Sequence, residues 1–288
     1  MDVFTLYVGQ GDLTAIRAGN EAIVVDAHMP DGDELAKKQI EKSLDDYLVG
    51  SDVRGLILTG FDRDHACPAG VDYILTRYEP DWVMYPKYFK DSDSAADCFK
   101  IIEAHVELRR RSNHPLVRVS VRVDHVESRF FTDLATNFRF ELFSPHMADM
   151  DSSNNSSIVL KVWGLDPTGF TYMITGDTET GRWDTINNIF GARLQCDVLS
   201  ASHHGSLNGV HAGALLNMSP NTVLISAGVD SMYDHPDPAA VKAYSMVAKH
   251  VFATNASADG HCLLTQRQGD DFVTYQVRHS AVSELSAA

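Results

Sequence analysis

Three short segments of this chain gather residue types that hold divalent metal ions. They are Asp62, Asp64 and His65 in GFDRDH, Asp177 in ITGD, and His203 with His204 in SASHHGS. Carboxylates and imidazoles together suit borderline ions such as Zn²⁺ or Mn²⁺. One well-held ion is enough for hydrolysis, because it acidifies a bound water and polarises the scissile group. Asp62 and Asp64 are two apart, so an extended backbone points both to one side. His65 joins them only if the chain bends, and Cys67-Pro68-Ala69-Gly70 suits a bend before a helix. Singly, each segment has a plainer reading. An Asp-x-Asp-His loop is commonly a helix-capping turn, Thr-Gly-Asp is an everyday turn, and His-His-Gly-Ser is an ordinary exposed loop. Their shared placement argues against three coincidences.

That placement comes from the elements around them. Residues 3–8 alternate as a strand, Gly9-Gln10-Gly11-Asp12 turns, and 13–17 and 22–26 resume strand character. An amphipathic helix is expected over 33–49 and a buried strand over 54–59. A helix from near Ala69 and a strand at 83–85 follow. The helix expected over 94–112 ends in Arg109-Arg110-Arg111, read as a solvated cationic end that suits the helix dipole. Strands are expected at 117–123, 137–143, 157–163, 170–175, 196–201, 222–226, 250–253, 261–265 and 272–278, with helices at 180–190 and 237–249. The metal-binding residue types thus fall just past the strands ending at 59, 175 and 201. Loops past strand ends are where ligands bind in α/β sheets. Two β-rich halves with helices point to two sheets packed face to face, helices outside. The expectation is one domain over 1–280, with 281–288 a flexible tail.

Composition narrows the function. The 288 residues carry 39 acidic against 24 basic side chains, a formal charge of −15. Proteins that grip long nucleic acid through phosphates normally present a basic surface, so the balance leans against that class. An acidic surface would also suit a protein partner. Cys67, Cys98, Cys196 and Cys262 are scattered without a C-x-x-C pair, which points to buried reduced thiols. No apolar run approaches the ~20 residues that span a bilayer, and the N-terminus lacks a secretory pattern. A cytoplasmic protein without a membrane segment is expected.

Taken in order, the segments VGQGDLTAI, IVVDA, LTGFDRDHACPAGVDYIL, SSNNSSIVLKV, YMITGD, LSASHHGS and ISAGVDSMYDHPDPAAV resemble the metallo-β-lactamase superfamily. Within it, the chain is similar to the branch that includes the soluble domain of the DNA-uptake competence protein and bacterial phosphorylcholine esterase. The resemblance runs from about residue 3 to 265. It implies an α/β fold, the four-layer αβ/βα sandwich, and a metal-dependent hydrolase that attacks phosphoester bonds through a metal-bound hydroxide. Carried over by position, Asp64, His65 and His203 bind one ion, Asp177 bridges to a second, and Asp62 binds that second one. His203 is the expected ligand of the adjacent pair, with His204 contacting substrate or supporting the site. Asp62 or Asp177 could act as a base. Asp12 and Asp26 lie beneath the site, Asp26 orienting a ligand rather than binding metal. Asn154 and Asn155 match a polar loop facing the site, and Asn155 and His235 are the expected substrate contacts. The substrate would be a phosphoester-containing small molecule or a short nucleic acid, and the cofactor one or two Zn²⁺ or Mn²⁺ ions.

One departure matters. The first histidine of the family's His-x-Asp-x-Asp-His motif is Gly60 here, so the second metal loses a donor. A weakly held second ion, a histidine supplied from elsewhere (His28 or His146), or a degenerate site would each follow. The alternative to a hydrolase is therefore a catalytically weakened or inactive regulatory and interaction module.

Overall fold

Alternation along the strands decides the layering. In β1 (Asp2–Thr5) and β3 (Glu21–Val25), successive side chains point to opposite faces, as a period of two requires. Val3, Ile23 and Val25 enter an apolar layer between two sheets. Phe4, Ala22 and Val24 enter a second layer beneath helices. Both faces are covered, which is why these strands are nearly all apolar. This is a computed structural model, and it describes residues 1–285 other than 89, 125, 150 and 151.

The first sheet draws on both ends of the chain. β2 (Thr14–Ala18), β4 (Asp52–Ile57), β5 (Trp82–Pro86), β6 (Val117–Val121), β14 (Cys262–Gln268) and β15 (Asp271–Val277) join β1 and β3. Their order is β15-β14-β1-β2-β3-β4-β5-β6, parallel from β3 to β6. The second sheet comprises β7 (Arg129–Phe131), β8 (Phe138–Ser144), β9 (Val159–Gly164), β10 (Thr171–Ile174), β11 (Val198–Ser200), β12 (Thr222–Ile225) and β13 (His250–Ala253). It runs β13-β12-β11-β10-β9-β8-β7 and is parallel from β10 to β13.

Helices cover both outer faces. α1 (Glu34–Leu48), α2 (Pro68–Arg77) and α3 (Asp93–Arg109) press Leu44, Ile74 and Ile102 onto the first sheet. α4 (Thr180–Phe190), α5 (Ala212–Met218) and α6 (Pro238–Ser245) press Trp183, Leu215 and Tyr244 onto the second. Helix starts are written locally. The Asp33 carboxylate accepts from the Leu35 and Ala36 amides at 3.1 and 2.9 Å. Cys67 Sγ accepts from the Gly70 amide, with Pro68 in the first turn of α2. The result is the four-layer αβ/βα sandwich expected from the sequence.

Three local expectations change. α3 stops at Arg109 rather than 112. Arg109 is buried, not a solvated helix end, and its guanidinium donates to the Pro80 and His114 carbonyls at 2.8 Å each. α6 ends at Ser245, four residues short of the expected 249. Part of the segment beyond 280 is helical. α7 (Val282–Leu285) buries Val282 completely among the α1 side chains, and His279 Nδ1 lies 2.8 Å from Ser43 Oγ. Residues 286–288 lie outside the described residues. All four cysteines are buried and free, as expected.

Candidate metal centre

The cluster is assembled from the C-terminal ends of five strands. Asp26 follows β3, residues 59–65 follow β4, Asp177 follows β10, His204 follows β11 and Ser226 follows β12. Backbone hydrogen bonds lock these loops together. The Asp12 amide donates to the Asp64 carbonyl at 2.8 Å, Ala27 to His65 at 2.7 Å, Ile158 to Thr59 at 2.8 Å and His203 to Gly176 at 3.0 Å. The bend that lets His65 turn inward is a tight turn after Asp62, whose carbonyl accepts from the amides of both His65 and Ala66. Gly176 is required in the Asp177 loop. Its φ is +50°, and a Cβ there would stand 2.9 Å from Ser157 Cβ.

At the centre, one ligand atom each from Asp64, His65, Asp177 and His204 lie within 4.8 Å of one another. His65 Nε2 is 2.9 Å from Asp177 Oδ1, and His204 Nε2 is 3.4 Å from Asp64 Oδ2 and 3.7 Å from Asp177 Oδ1. Each histidine is held from behind. His65 Nδ1 faces Asp26 Oδ2 at 2.9 Å, and Asp26 also accepts from the Thr59 amide and hydroxyl at 2.7 Å each. His204 Nδ1 lies 3.0 Å from the Ser226 carbonyl, which can only accept, so that nitrogen carries the proton. Both Nε2 atoms therefore face the cluster. His65 Nε2, His204 Nε2 and Asp177 Oδ1 are fully buried and face one another and Asp64. Two imidazole nitrogens and two carboxylates converging in this way form a donor set that fits a divalent metal ion.

The electrostatics agree. Burial opposes charge on His204, yet Asp177 and Asp12 outweigh it and lift its pKa to about 9. His65 is likewise raised well above its ordinary value, burial being outweighed by Asp177 and Asp26. Burial works against the Asp177 and Asp64 carboxylates, but the neighbouring histidines pull both below the usual range. Asp12, 3.6 Å from His204 Nδ1, is pushed up by burial to about 6. The carboxylates thus hold positive charge on the imidazoles, which is charge a metal ion would supply in its place.

The centre opens into a cavity of about 490 Å³. Several expected site residues stand differently from the sequence reading. His203, the favoured ligand, lies outside the four-atom cluster. Its Nε2 is 3.9 Å from Asp177 Oδ2, and its partly exposed ring lines the cavity instead. His204 is the one whose ring joins the cluster: both residues adopt left-handed backbone and only the second turns inward. Asp62 is not in the cluster either. Its carboxylate pairs with Lys90 Nζ through Oδ1 and accepts from Ser153 Oγ through Oδ2. Asn155 does not line the cavity. Its Oδ1 accepts from the Glu179 amide at 3.3 Å, and its neighbour Asn154 faces the cavity. His235 lines the rim as expected, its ring 6.0 Å from both His203 and Tyr233. Neither spare histidine joins the cluster. His28 lines the cavity with Nδ1 3.1 Å from the Arg63 carbonyl, and His146 is buried against Phe190.

Sequence reasoning missed Lys90, Arg63, Gln10 and Tyr233, which also line the cavity. Lys90 lies just past β5, and the strand-end argument that found Asp62 and Asp177 applies equally there. Basic and aromatic side chains carry no ligand signature, so nothing marked them out.

No family model matches the chain. In sequence it is similar to ComE operon protein 3 of Bacillus subtilis, at 28% identity over 199 residues, 68% of this chain. The chain spans 23% of that relative's length. In structure it is similar to Igni18, a metallo hydrolase from the archaeon Ignicoccus hospitalis. That likeness has a TM-score of 0.52 at 15% identity and covers 93% of this chain and 100% of that one. A diphosphatase of the PhnP family aligns over 92% of this chain and 98% of its own, with 10% identity and a TM-score of 0.44. The expected similarity to a competence protein is met by the first of these, and the expected sandwich fold by the second. Among the described residues, no helix is long and apolar enough to cross a membrane.

Proposed function

We propose that this chain is a metal-dependent hydrolase of phosphoesters, with Asp64, His65, Asp177 and His204 holding one divalent ion, Zn²⁺ or Mn²⁺. The carrying observation is the convergence of three buried ligand atoms, from His65, Asp177 and His204, with Asp64 at the floor of an open cavity. A divalent ion held there supplies Lewis acidity to a water and to the scissile oxygen.

The chain's own residues do the rest. Asp26 and the Ser226 carbonyl fix the two imidazoles in the tautomer that presents Nε2. His203 stands between the cluster and the rim, placed to exchange a proton with a group in the cavity. Lys90 and Arg63 present cationic groups along the cavity wall, which favours an anionic substrate. His235 and Tyr233 form a flat, stacked pair at the rim, 6.0 Å apart with 15° between planes. A small phosphodiester or a short nucleic acid fits an opening of this size better than a long duplex does, given the chain's −15 charge.

The test is metal content of protein purified without chelator, together with hydrolysis of bis(p-nitrophenyl) phosphate in added Mn²⁺ or Zn²⁺. Wild type should bind an ion and turn the ester over, and Asp64→Ala and His65→Ala should lose both properties. A chain that binds no ion, with variants indistinguishable from wild type, would replace the enzyme by a binding module.

A further inference from the structure

Asp62 lines the same cavity as Asp177 and the histidines, and a carboxylate in that position needs a cation beside it. Two-metal hydrolytic sites supply it with a second ion about 4 Å from the first. Here the two donors that the sequence pattern gives such an ion, at positions 60 and 62, are absent and spent. Gly60 has no side chain. Asp62 uses Oδ1 on Lys90 and Oδ2 on Ser153. The Asn154 amide donates to Glu179 Oε1 at 3.0 Å, which also accepts from Asn208 at 3.1 Å. Lys90, by contrast, is a half-buried ammonium that faces the cavity and lies within the electrostatic reach of Asp177.

We infer that Lys90 takes the place of a second metal ion, so that the centre holds one ion and one fixed ammonium. This rests on the proposed metal centre and specifies its stoichiometry. An ammonium neutralises Asp62 and offers hydrogen bonds to an anionic oxygen, but it has no empty orbital with which to acidify water. The two halves of the site therefore divide the work. An ion held by Asp64, His65, Asp177 and His204 would supply the Lewis acidity, and Lys90 attracts and orients the substrate's negative charge. Loss of the histidine at position 60 is then compensated by a side chain from the loop after β5.

The experiment is calorimetric titration of Zn²⁺, and separately Mn²⁺, into chelator-stripped protein, with bound ions counted by mass spectrometry after gel filtration. Wild type and Lys90→Arg should bind one ion per chain. Gly60→His combined with Lys90→Met should bind two. A Cβ at residue 60 meets nothing within 4 Å, and the second change releases Asp62. Should that variant fail to fold, as judged by circular dichroism, Lys90→Gln alone is expected to gain a second Mn²⁺ equivalent. Two ions in wild type, or one ion in every folded variant, overturns the inference while leaving the metal centre intact. No ion in wild type overturns both.

Discussion

Asp26 holds His65 by its Nδ1 at 2.9 Å and thereby aims Nε2 at Asp177, also 2.9 Å away. Asp26 lies outside the ligand cluster that it orients. It sits at the end of β3 in left-handed backbone, with φ +57°, and is itself fixed by two bonds from Thr59. The orientation of a ligand from β4 is thus decided on β3, across a parallel strand pair.

Removing that support should loosen the ion without removing a ligand. Asp26→Asn is expected to weaken Zn²⁺ affinity ~10–100-fold, the usual cost of losing a partner behind a metal-bound histidine. Calorimetric titration of Zn²⁺ measures it, and unchanged affinity would show that Asp26 serves folding alone.

The two adjacent histidines should separate cleanly. His204→Ala is expected to lose the ion altogether at micromolar metal. His203→Ala should keep a full equivalent and slow turnover instead. Metal content by mass spectrometry, read beside ester hydrolysis, distinguishes them. The reverse pattern would restore His203 as the ligand.

The metal-free chain should lose stability on the alkaline side of neutrality. The folded-state pKa of His204, about 9, lies above its ordinary 6.5, so its contribution is whole below pH 6.5 and is lost as pH rises through about 9. His65 shifts in the same direction. The melting temperature of chelator-treated protein should therefore fall between pH 6.5 and 9. Saturating Zn²⁺ should abolish that fall, because the ion replaces the protons. A flat profile in chelator would contradict this electrostatic account.

Gly176→Ala tests the loop that carries Asp177. The substitution forces a side chain into left-handed backbone and against Ser157 and Thr59, a cost of about 1–3 kcal/mol. Denaturant unfolding should show the lower midpoint, and metal content should drop with it because Asp177 is displaced. A variant as stable as wild type would mean that the loop relaxes freely.

The sequence by itself determined which loops meet at the cluster. Asp62 to His65, Asp177 and the histidine pair each follow an apolar strand, and strand patterning is a local property that backbone sterics and burial enforce residue by residue. The sandwich followed from the same runs, since strands apolar on both faces must be covered on both sides. Local pattern did not determine where a side chain points within its loop. His203 and His204 share left-handed backbone, and the Ser226 carbonyl from the next strand, with cluster packing, selects the second. Asn154 and Asn155 divide their roles because Glu179, on another loop, captures both. Nor did sequence spacing foretell that Lys90 would meet Asp62, 28 residues earlier in the chain. Only the tertiary structure decided these points. Loop direction is set by long-range hydrogen bonds and ion pairs between strand ends, and those partners are brought together by the fold, not by their order along the chain.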